Sequence, residues 1–391
     1  MIYENYLSDT AKEIKPSGIR KFFDLATQMK DVVSLGVGEP DFDTPWSIRE
    51  AAIYSIQSGK TFYTANKGLP QLREEICKYL KRRFDLDYEW KSNVIVTVGG
   101  SEAIDIALRA VVNPGDEVII LTPCYVAYEP GVVLTHGIPK IIKLQHSNHF
   151  KLTPEELEAA ITPKTKAILL NFPSNPTGGI MTQEDYEKIV PIIKKHNLIV
   201  ISDEIYAELT YNDNHVSLAH FPEIKDQVIV INGFSKAYAM TGWRLGYVCA
   251  NKVFTDAMVK IHQYIIMSAP TAAQYGALEG LKCCDEKVEE MKLAYLARRN
   301  FIVDGFNKLG LETHVPEGAF YIFPCIKSTG MTSQEFCNNL LNEQRVACVP
   351  GDAFGEAGEG FIRVSYAYSI EEIKVALTRI EKFMESLSTC K

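Results

Sequence analysis

The chain has 391 residues, more than one hydrophobic core usually serves, so two domains are expected. Its composition, 46% hydrophobic and 23% charged, is that of an ordinary globular protein. A net charge of −8 without a basic block argues against nucleic-acid binding, and no apolar stretch approaches the ~18 residues that a membrane span needs.

The nine cysteines are scattered and include no Cys-x-x-Cys pair, so their spacing indicates neither a zinc site nor a disulfide framework. The first 15 residues mix acidic and basic side chains and lack the apolar core of a signal peptide. We therefore expect a reducing cytoplasm as the compartment, and we assign no metal ligand.

Between residues 90 and 250, short β-rich runs alternate with amphipathic helical patterns such as 102–111 and 183–196. The predicted strands are 94–98, 117–121, 167–171, 198–202, 228–231 and 245–249. This alternation predicts an α/β layered domain with a largely parallel sheet. Ligands of such sheets bind at the carboxyl ends of the strands.

The C-terminal part has a different pattern. A long helical stretch at 284–309 precedes three predicted strands and a final helix, which are 319–323, 345–349, 360–365 and 370–387. This mixed set predicts a smaller α+β domain.

The segment 232–246 carries the most specific chemical signal. Lys236 follows the buried strand 228–231, and desolvation lowers the pKa of a lysine, which suits it to form a Schiff base. Ser235 and Arg244 offer hydrogen-bond donors for a phosphate group. A Schiff-base lysine beside a phosphate site is what pyridoxal 5′-phosphate (PLP) requires, whereas the alternative is a surface lysine near a turn.

Further polar residues follow other predicted strands. Asp203 comes directly after 198–202, where a carboxylate beneath a pyridine ring would keep the ring nitrogen protonated; a helix N-cap is the alternative. The turn 99–103 joins a strand to a helix, and its glycines and free N–H groups favour an anion. Residues 171–178 contain two prolines and a glycine, which indicates a rigid turn.

Arg363 lies inside the apolar strand 360–365. A buried guanidinium needs a carboxylate partner, which either a ligand or a structural ion pair would supply.

Together these motifs resemble the class I/II aminotransferases, PLP enzymes of fold type I. Ser-Lys at 235–236 followed by Gly-x-Arg-x-Gly at 242–246 matches their lysine signature, although Gly233 stands where many members carry a serine. The resemblance covers essentially the whole chain, with every motif in family order. It implies a large PLP-binding domain at 44–283 and a discontinuous small domain formed by 1–43 and 284–391.

The resemblance also implies roles around the cofactor ring. Lys236 would bind PLP covalently, and Asp203 would face the ring nitrogen. Tyr206 and Asn175 would reach the phenolic oxygen, and Tyr125 would stack on the ring unless it is an ordinary core tyrosine. Lys236, Asp203 and Tyr206 form the expected catalytic set. Tyr128, close to Tyr125, is expected only to pack.

The phosphate and the substrate have their own expected contacts. The phosphate ligands implied by the resemblance are Gly100, Ser101, Glu102, Ser235 and Arg244. Tyr63 would cross a homodimer interface to the partner's phosphate, with simple interface packing as the alternative. The substrate α-carboxylate would meet Arg363, Asn175 and the backbone of Gly38.

The implied reaction is a ping-pong transfer of an amino group from an L-amino acid to a 2-oxo acid such as 2-oxoglutarate, within amino-acid biosynthesis. Residues 15–20 and 316–323 resemble branches acting on aromatic amino acids and on N-acetyl-diaminopimelate. Some bacterial aspartate aminotransferases carry a lysine where this chain has Ser101, which weakens the case for aspartate. A carbon–sulfur β-lyase and a non-catalytic PLP-binding regulator are the alternatives.

Overall fold

The computed structural model describes residues 2–16, 29–211 and 215–389. Residues 17–20 of the predicted substrate region 15–20, and Cys390, lie outside the described residues.

The described residues form twelve strands, numbered in chain order: β1 (Val33–Ser34), β2 (Val94–Thr97), β3 (Glu117–Thr122), β4 (Ile138–Lys143), β5 (Thr165–Asn171), β6 (Ile199–Asp203), β7 (Val228–Gly233), β8 (Gly246–Cys249), β9 (Tyr321–Ile322), β10 (Val346–Ala347), β11 (Val349–Pro350) and β12 (Ile362–Ser365).

The α-helices of the same ranges are α1 (Asp9–Glu13), α2 (Trp46–Gln57), α3 (Pro70–Phe84), α4 (Gly99–Val111), α5 (Tyr128–Leu134), α6 (Pro154–Ala160), α7 (Gln183–Lys195), α8 (Lys252–Ile265), α9 (Thr271–Cys283), α10 (Asp285–Lys308), α11 (Ser333–Gln344) and α12 (Ile370–Thr389).

A seven-stranded sheet in the order β2-β8-β7-β6-β5-β3-β4 forms the centre of the molecule. Every strand pair is parallel except those that β8 makes with β2 and β7. The strands β2 and β5 to β7 are buried along almost their whole length, because helices pack on both faces of a parallel sheet. The predicted α/β class with a largely parallel sheet is confirmed.

The prediction missed β4, which lies at the edge of this sheet. Only Ile142 of its residues is buried, and Pro139 interrupts the apolar pattern. A proline is tolerated there because an edge strand leaves part of its N–H groups without a ladder partner. The strand therefore lacks the continuous apolar run that marked its neighbours.

The strand register brings the site together. Asn171 at the end of β5 is paired with Asp203 at the end of β6, and Lys236 follows β7, the next strand across. The side chain of Asn171 also donates to the backbone carbonyl of Asp203, with an N–O distance of 3.0 Å. The carboxyl ends of β5, β6 and β7 thus lie side by side at one edge of the sheet and bring Asn171, Asp203 and Lys236 together.

Two small sheets lie outside the central one. Strand β1, near the N-terminus, pairs with β10 in parallel, while β12 pairs with β11 and β9 antiparallel. The predicted strand 345–349 is therefore two short strands belonging to different sheets, and Arg345 caps α11 in a left-handed conformation with φ of 58°. These pairings join the N-terminal and C-terminal segments, and the division into 44–283 and 1–43 plus 284–391 stays a prediction.

In the ranges that the structure describes, every helix is too short or too polar to cross a bilayer. The eight cysteines in these ranges are all free thiols.

Candidate active site

Lys236 lies in the turn that follows β7. Its amine donates to the backbone carbonyl of Gly38, with an N–O distance of 2.6 Å, rather than to a carboxylate. Burial, together with the positive charge of Arg363, lowers the pKa of Lys236 from 10.5 to about 8. A sizeable fraction of this amine is therefore neutral near pH 8, the state that can act as a nucleophile or a base.

Asp203 is a buried carboxylate with only 5% of its surface exposed. The hydroxyl of Tyr128 donates to it over 2.7 Å, and the backbone N–H of Ile205 donates to its other oxygen over 3.2 Å. Burial raises its pKa to about 6, although both donors act in the opposite direction. The expectation that Tyr128 only packs is wrong, because its hydroxyl holds the carboxylate in place.

Arg363 lies on β12 and is 4% exposed. Its guanidinium donates to the amide oxygen of Asn175 over 2.9 Å and to the carbonyl of Gly36 over 2.6 Å. The guanidinium also lies over the ring of Tyr321, at 4.6 Å from the ring centroid. Its Nε is buried without a hydrogen-bond partner among the described residues, so the group retains capacity for a carboxylate.

Asn175 is fixed by its own loop. Its backbone N–H donates to the side-chain oxygen of Asn171 over 3.0 Å, which ties the loop back to the end of β5. Its side chain then reaches Arg363, so the two predicted carboxylate ligands are adjacent.

The N-terminus of α4 faces Arg244. Gly99 has a φ of +72°, and a Cβ atom there would lie only 2.8 Å from Nη2 of Arg244. The positive φ therefore favours glycine, and any side chain at this position would also displace the guanidinium of Arg244. Gly100 and Ser101 follow in the first turn of the helix, so their N–H groups and Arg244 point to one anion site.

Glu102 has a structural role besides its predicted backbone contact. Its carboxylate accepts from the backbone N–H of Val98 and from Nδ1 of the buried His262, the latter over 2.6 Å. The carboxylate of Glu102 thus stabilises the N-terminus of α4. Only the backbone N–H of Glu102 would then contribute to the anion site.

The hydroxyl groups of Tyr206 and Tyr321 lie 2.8 Å apart. Burial raises the pKa of Tyr206 well above its usual range, so the phenol stays protonated and can donate a hydrogen bond. A side chain at Gly38 would collide with the Tyr321 hydroxyl. The two tyrosines therefore lie close to Gly38, whose carbonyl accepts from Lys236.

The remaining predicted residues lie around this centre. Tyr125 is half-buried and packs edge-on against Tyr128, with ring centroids 5.5 Å apart. Ser235 is buried directly before Lys236. Tyr63, by contrast, is 80% exposed within one chain, whereas Lys236, Asp203 and Arg363 are enclosed.

Two residues at the site were not predicted, Tyr128 and Tyr321. Tyr128 begins α5 just after β3, at the sheet edge that carries Asp203, and this position was a usable signal. Tyr321 lies in the segment 316–323 that resembles substrate-specific branches, but its own contacts could not be predicted, because only the fold brings it to Tyr206 and Arg363.

The sequence profile of the aminotransferase class I and II family matches residues 30–380. The chain belongs to this family. The putative aminotransferase YugH of Bacillus subtilis (strain 168) is 56% identical over 97% of this chain and 98% of its own length. The aspartate aminotransferase of Pyrococcus abyssi (strain GE5 / Orsay) is 44% identical over 97% of this chain and 98% of its own.

A solved aromatic aminotransferase from Pyrococcus horikoshii OT3 has the same fold. It superposes with a TM-score of 0.90 at 41% identity, covering 94% of this chain and 99% of the solved one. The predicted family and fold type are therefore confirmed, and the chain is an aminotransferase.

Class I and II aminotransferases depend on PLP, and the described residues of this aminotransferase fit that cofactor. The amine of Lys236 has the lowered pKa that suits an aldehyde, and the buried carboxylate of Asp203 suits a pyridine nitrogen. A Cβ at Gly99 would fill the space beside Arg244, where a phosphate would meet the helix N-terminus.

Proposed function

We propose that this aminotransferase transfers the amino group of an L-amino acid to 2-oxoglutarate in a ping-pong cycle. One observation carries the proposal: Lys236 and Arg363 both donate to carbonyls of the same short segment, at Gly38 and Gly36. A substrate whose α-carboxylate binds Arg363 would therefore present its Cα to the amine of Lys236.

Bound PLP supplies the aldehyde that takes up the amino group and the ring that withdraws electrons from the substrate Cα. Arg363 and Asn175 hold the α-carboxylate, which fixes the orientation of the Cα–H bond. The neutral amine of Lys236 would take the proton from Cα as the general base and would deliver it to the C4′ carbon of the cofactor as the general acid. Asp203 would keep the ring nitrogen protonated, and Tyr206 would donate to the phenolic oxygen.

Several roles around these residues complete the proposal. Tyr125 would stack on the ring, and the substrate carboxylate would also meet the backbone at Gly38. The phosphate would be held by Gly100, Ser101, Glu102, Ser235 and Arg244. We also propose a cytoplasmic location, which the free thiols of the described ranges support.

We also propose a homodimer with shared sites. Tyr63 and its neighbour Phe62 are 80% and 81% exposed, and Tyr264 is 87% exposed. Exposed aromatic side chains of this kind suit an interface between copies of the chain. In such a dimer Tyr63 would reach the partner's phosphate site.

The amino donor belongs to the aspartate, aromatic or N-acetyl-diaminopimelate type. The relatives support this range, since the matched proteins include one named for aspartate and one named for aromatic substrates. Ser101 at the start of α4 is neutral, whereas some aspartate aminotransferases carry a lysine there. This difference favours amino donors other than aspartate.

A panel of amino donors assayed with 2-oxoglutarate tests the proposal. Initial rates at several fixed acceptor concentrations should give parallel double-reciprocal lines, the signature of a ping-pong cycle. The donor alone should release a single equivalent of 2-oxo acid per site and then stop. Continued release of ammonia without an acceptor would instead show elimination, the reaction of a β-lyase, and would contradict the proposal.

A further inference from the structure

Three of the eight histidines lie together outside the set of active-site residues, where residues 146–149 meet residues 312–314. The rings of His146 and His314 stack with centroids 4.0 Å apart. The ring of His149 lies 4.3 Å from that of His314. The side chain of Glu312 is exposed and lies beside His146 and His314. Each of these three residues has one potential ligand atom, and the three atoms lie within 4.8 Å of one another.

Hydrogen bonding orients the ring of His314. Its Nε2 lies 3.1 Å from the backbone carbonyl of His146. Because a carbonyl only accepts, this contact places the hydrogen on Nε2 and leaves the lone pair on Nδ1. Metal-binding histidines typically have this arrangement, in which the second ring nitrogen donates to a carbonyl and fixes the tautomer.

His146 is held by aromatic packing rather than by hydrogen bonds. Its ring centroid lies 5.7 Å from that of Phe150 and 5.2 Å from that of Phe361. Its Nε2 is buried and has no hydrogen-bond partner in the ranges that the structure describes. Buried polar atoms usually have a hydrogen-bond partner, so the unpaired Nε2 of His146 is available to bind a ligand.

We propose that His146, Glu312 and His314 bind a divalent transition-metal ion of the Zn²⁺ type, with water in the remaining position. Two imidazoles and one carboxylate form a common zinc ligand set, whereas Mg²⁺ and Ca²⁺ prefer oxygen ligands alone. Zn–N bonds of about 2.0–2.1 Å place ligand atoms about 3.3 Å apart in a tetrahedral site, so the separations between the three groups need to shorten by up to about 1.5 Å. The exposed side chain of Glu312 has the freedom to do so.

The ion would connect two segments that are distant in sequence. His314 is shortly followed by Glu317 and Gly318, whose N–H groups donate to the carbonyl of Gly178 over 3.0 and 2.9 Å. Gly178 ends the loop that carries Asn175. A bound ion would therefore fasten residues 146–149 to the segment that supports this loop, and would stabilise the folded chain by mass action.

Metal uptake by the PLP-loaded enzyme tests the proposal. The protein is stripped with a chelator, dialysed against micromolar Zn²⁺, and its bound zinc is measured by elemental analysis. About one ion per chain is expected, with at least about tenfold weaker binding in His314→Ala and in Glu312→Gln. Because Glu312 is exposed, Glu312→Gln tests the site even if His314→Ala folds poorly.

His196→Ala is the matched control. His196 also contacts a glutamate, Glu158, over 3.1 Å, but among the described residues it belongs to no group of three potential metal ligands. This variant should bind zinc as the unmodified enzyme does. Zn²⁺ at a hundred times its Kd should raise the unfolding midpoint by about 2–4 °C in the enzyme and in the control, but not in the two site variants.

Two results would overturn the proposal: no stoichiometric zinc in the unmodified enzyme, or equal uptake by the enzyme and both site variants. The second result would place the metal elsewhere, for example at the exposed thiol of Cys283.

Discussion

Replacing Tyr128 by phenylalanine would remove the hydroxyl that donates to Asp203 over 2.7 Å. The ring would remain, so its edge-on packing against Tyr125 would be kept. The buried carboxylate would retain the backbone donor at Ile205. The substitution therefore isolates one hydrogen bond to the group that we place beneath the cofactor ring.

The expected size follows from the electrostatics of that bond. A hydrogen bond to a charged group contributes about 1.5–3 kcal/mol, and one pKa unit corresponds to about 1.4 kcal/mol. The pKa of Asp203 should thus rise by about 1–2 units from its value of about 6. At about pH 6, the ionised fraction would fall from about a half to between about 1% and 10%.

PLP binding to the apoenzyme measures this change, because the protonated ring nitrogen requires the ionised carboxylate. The PLP affinity of Tyr128→Phe should be about 5- to 50-fold lower than that of the unmodified protein near pH 6. The PLP affinities of the variant and of the unmodified protein should converge near pH 9, where Asp203 is ionised in both proteins. Tyr247→Phe is the control, since the buried Tyr247 hydroxyl has no partner among the described residues. A defect of equal size at every pH, or none at all, would refute the reasoning.

Arg363→Ala should lower kcat/KM by at least about 30-fold for every amino donor, because truncating one partner of a buried charge pair removes about 2–5 kcal/mol. A loss confined to dicarboxylic donors would contradict a role at the shared α-carboxylate. Gly99→Ala should weaken PLP binding about tenfold or more through the contact with the arginine, while Gly115→Ala, at a similar φ of +87° but with open space around it, should not. Mixing Lys236→Ala with Tyr63→Phe subunits at limiting PLP should make about a quarter of all sites native if the sites are shared across a two-fold axis. No gain over the separate variants, despite proven subunit exchange, would leave Tyr63 as a packing residue.

The sequence predicted the parts of the site that follow directly from strand ends. Lys236 and Asp203 each follow a continuous apolar run, and parallel strands bring such positions to one edge. The position of Arg363 was predictable because a guanidinium inside an apolar strand needs a partner. These predictions need only local pattern and the general geometry of a parallel sheet.

Contacts between distant segments could not be predicted in the same way. The pairing of Tyr206 with Tyr321 spans 115 residues and depends on how the small sheets pack against the central one. The cluster of His146 with His314 likewise has no trace in the spacing of the sequence. The splitting of 345–349 between two sheets is also a tertiary effect, since either half alone is too short to show a pattern.

Reduction of the PLP-loaded enzyme with sodium borohydride tests the central claim most directly, because it fixes the cofactor to the amine that carries it. Peptide mass spectrometry then locates the phosphopyridoxyl group. We predict that it lies on Lys236, close to one per chain, and that Lys236→Ala shows no label. A label on another lysine with Lys236 unmodified would contradict the account.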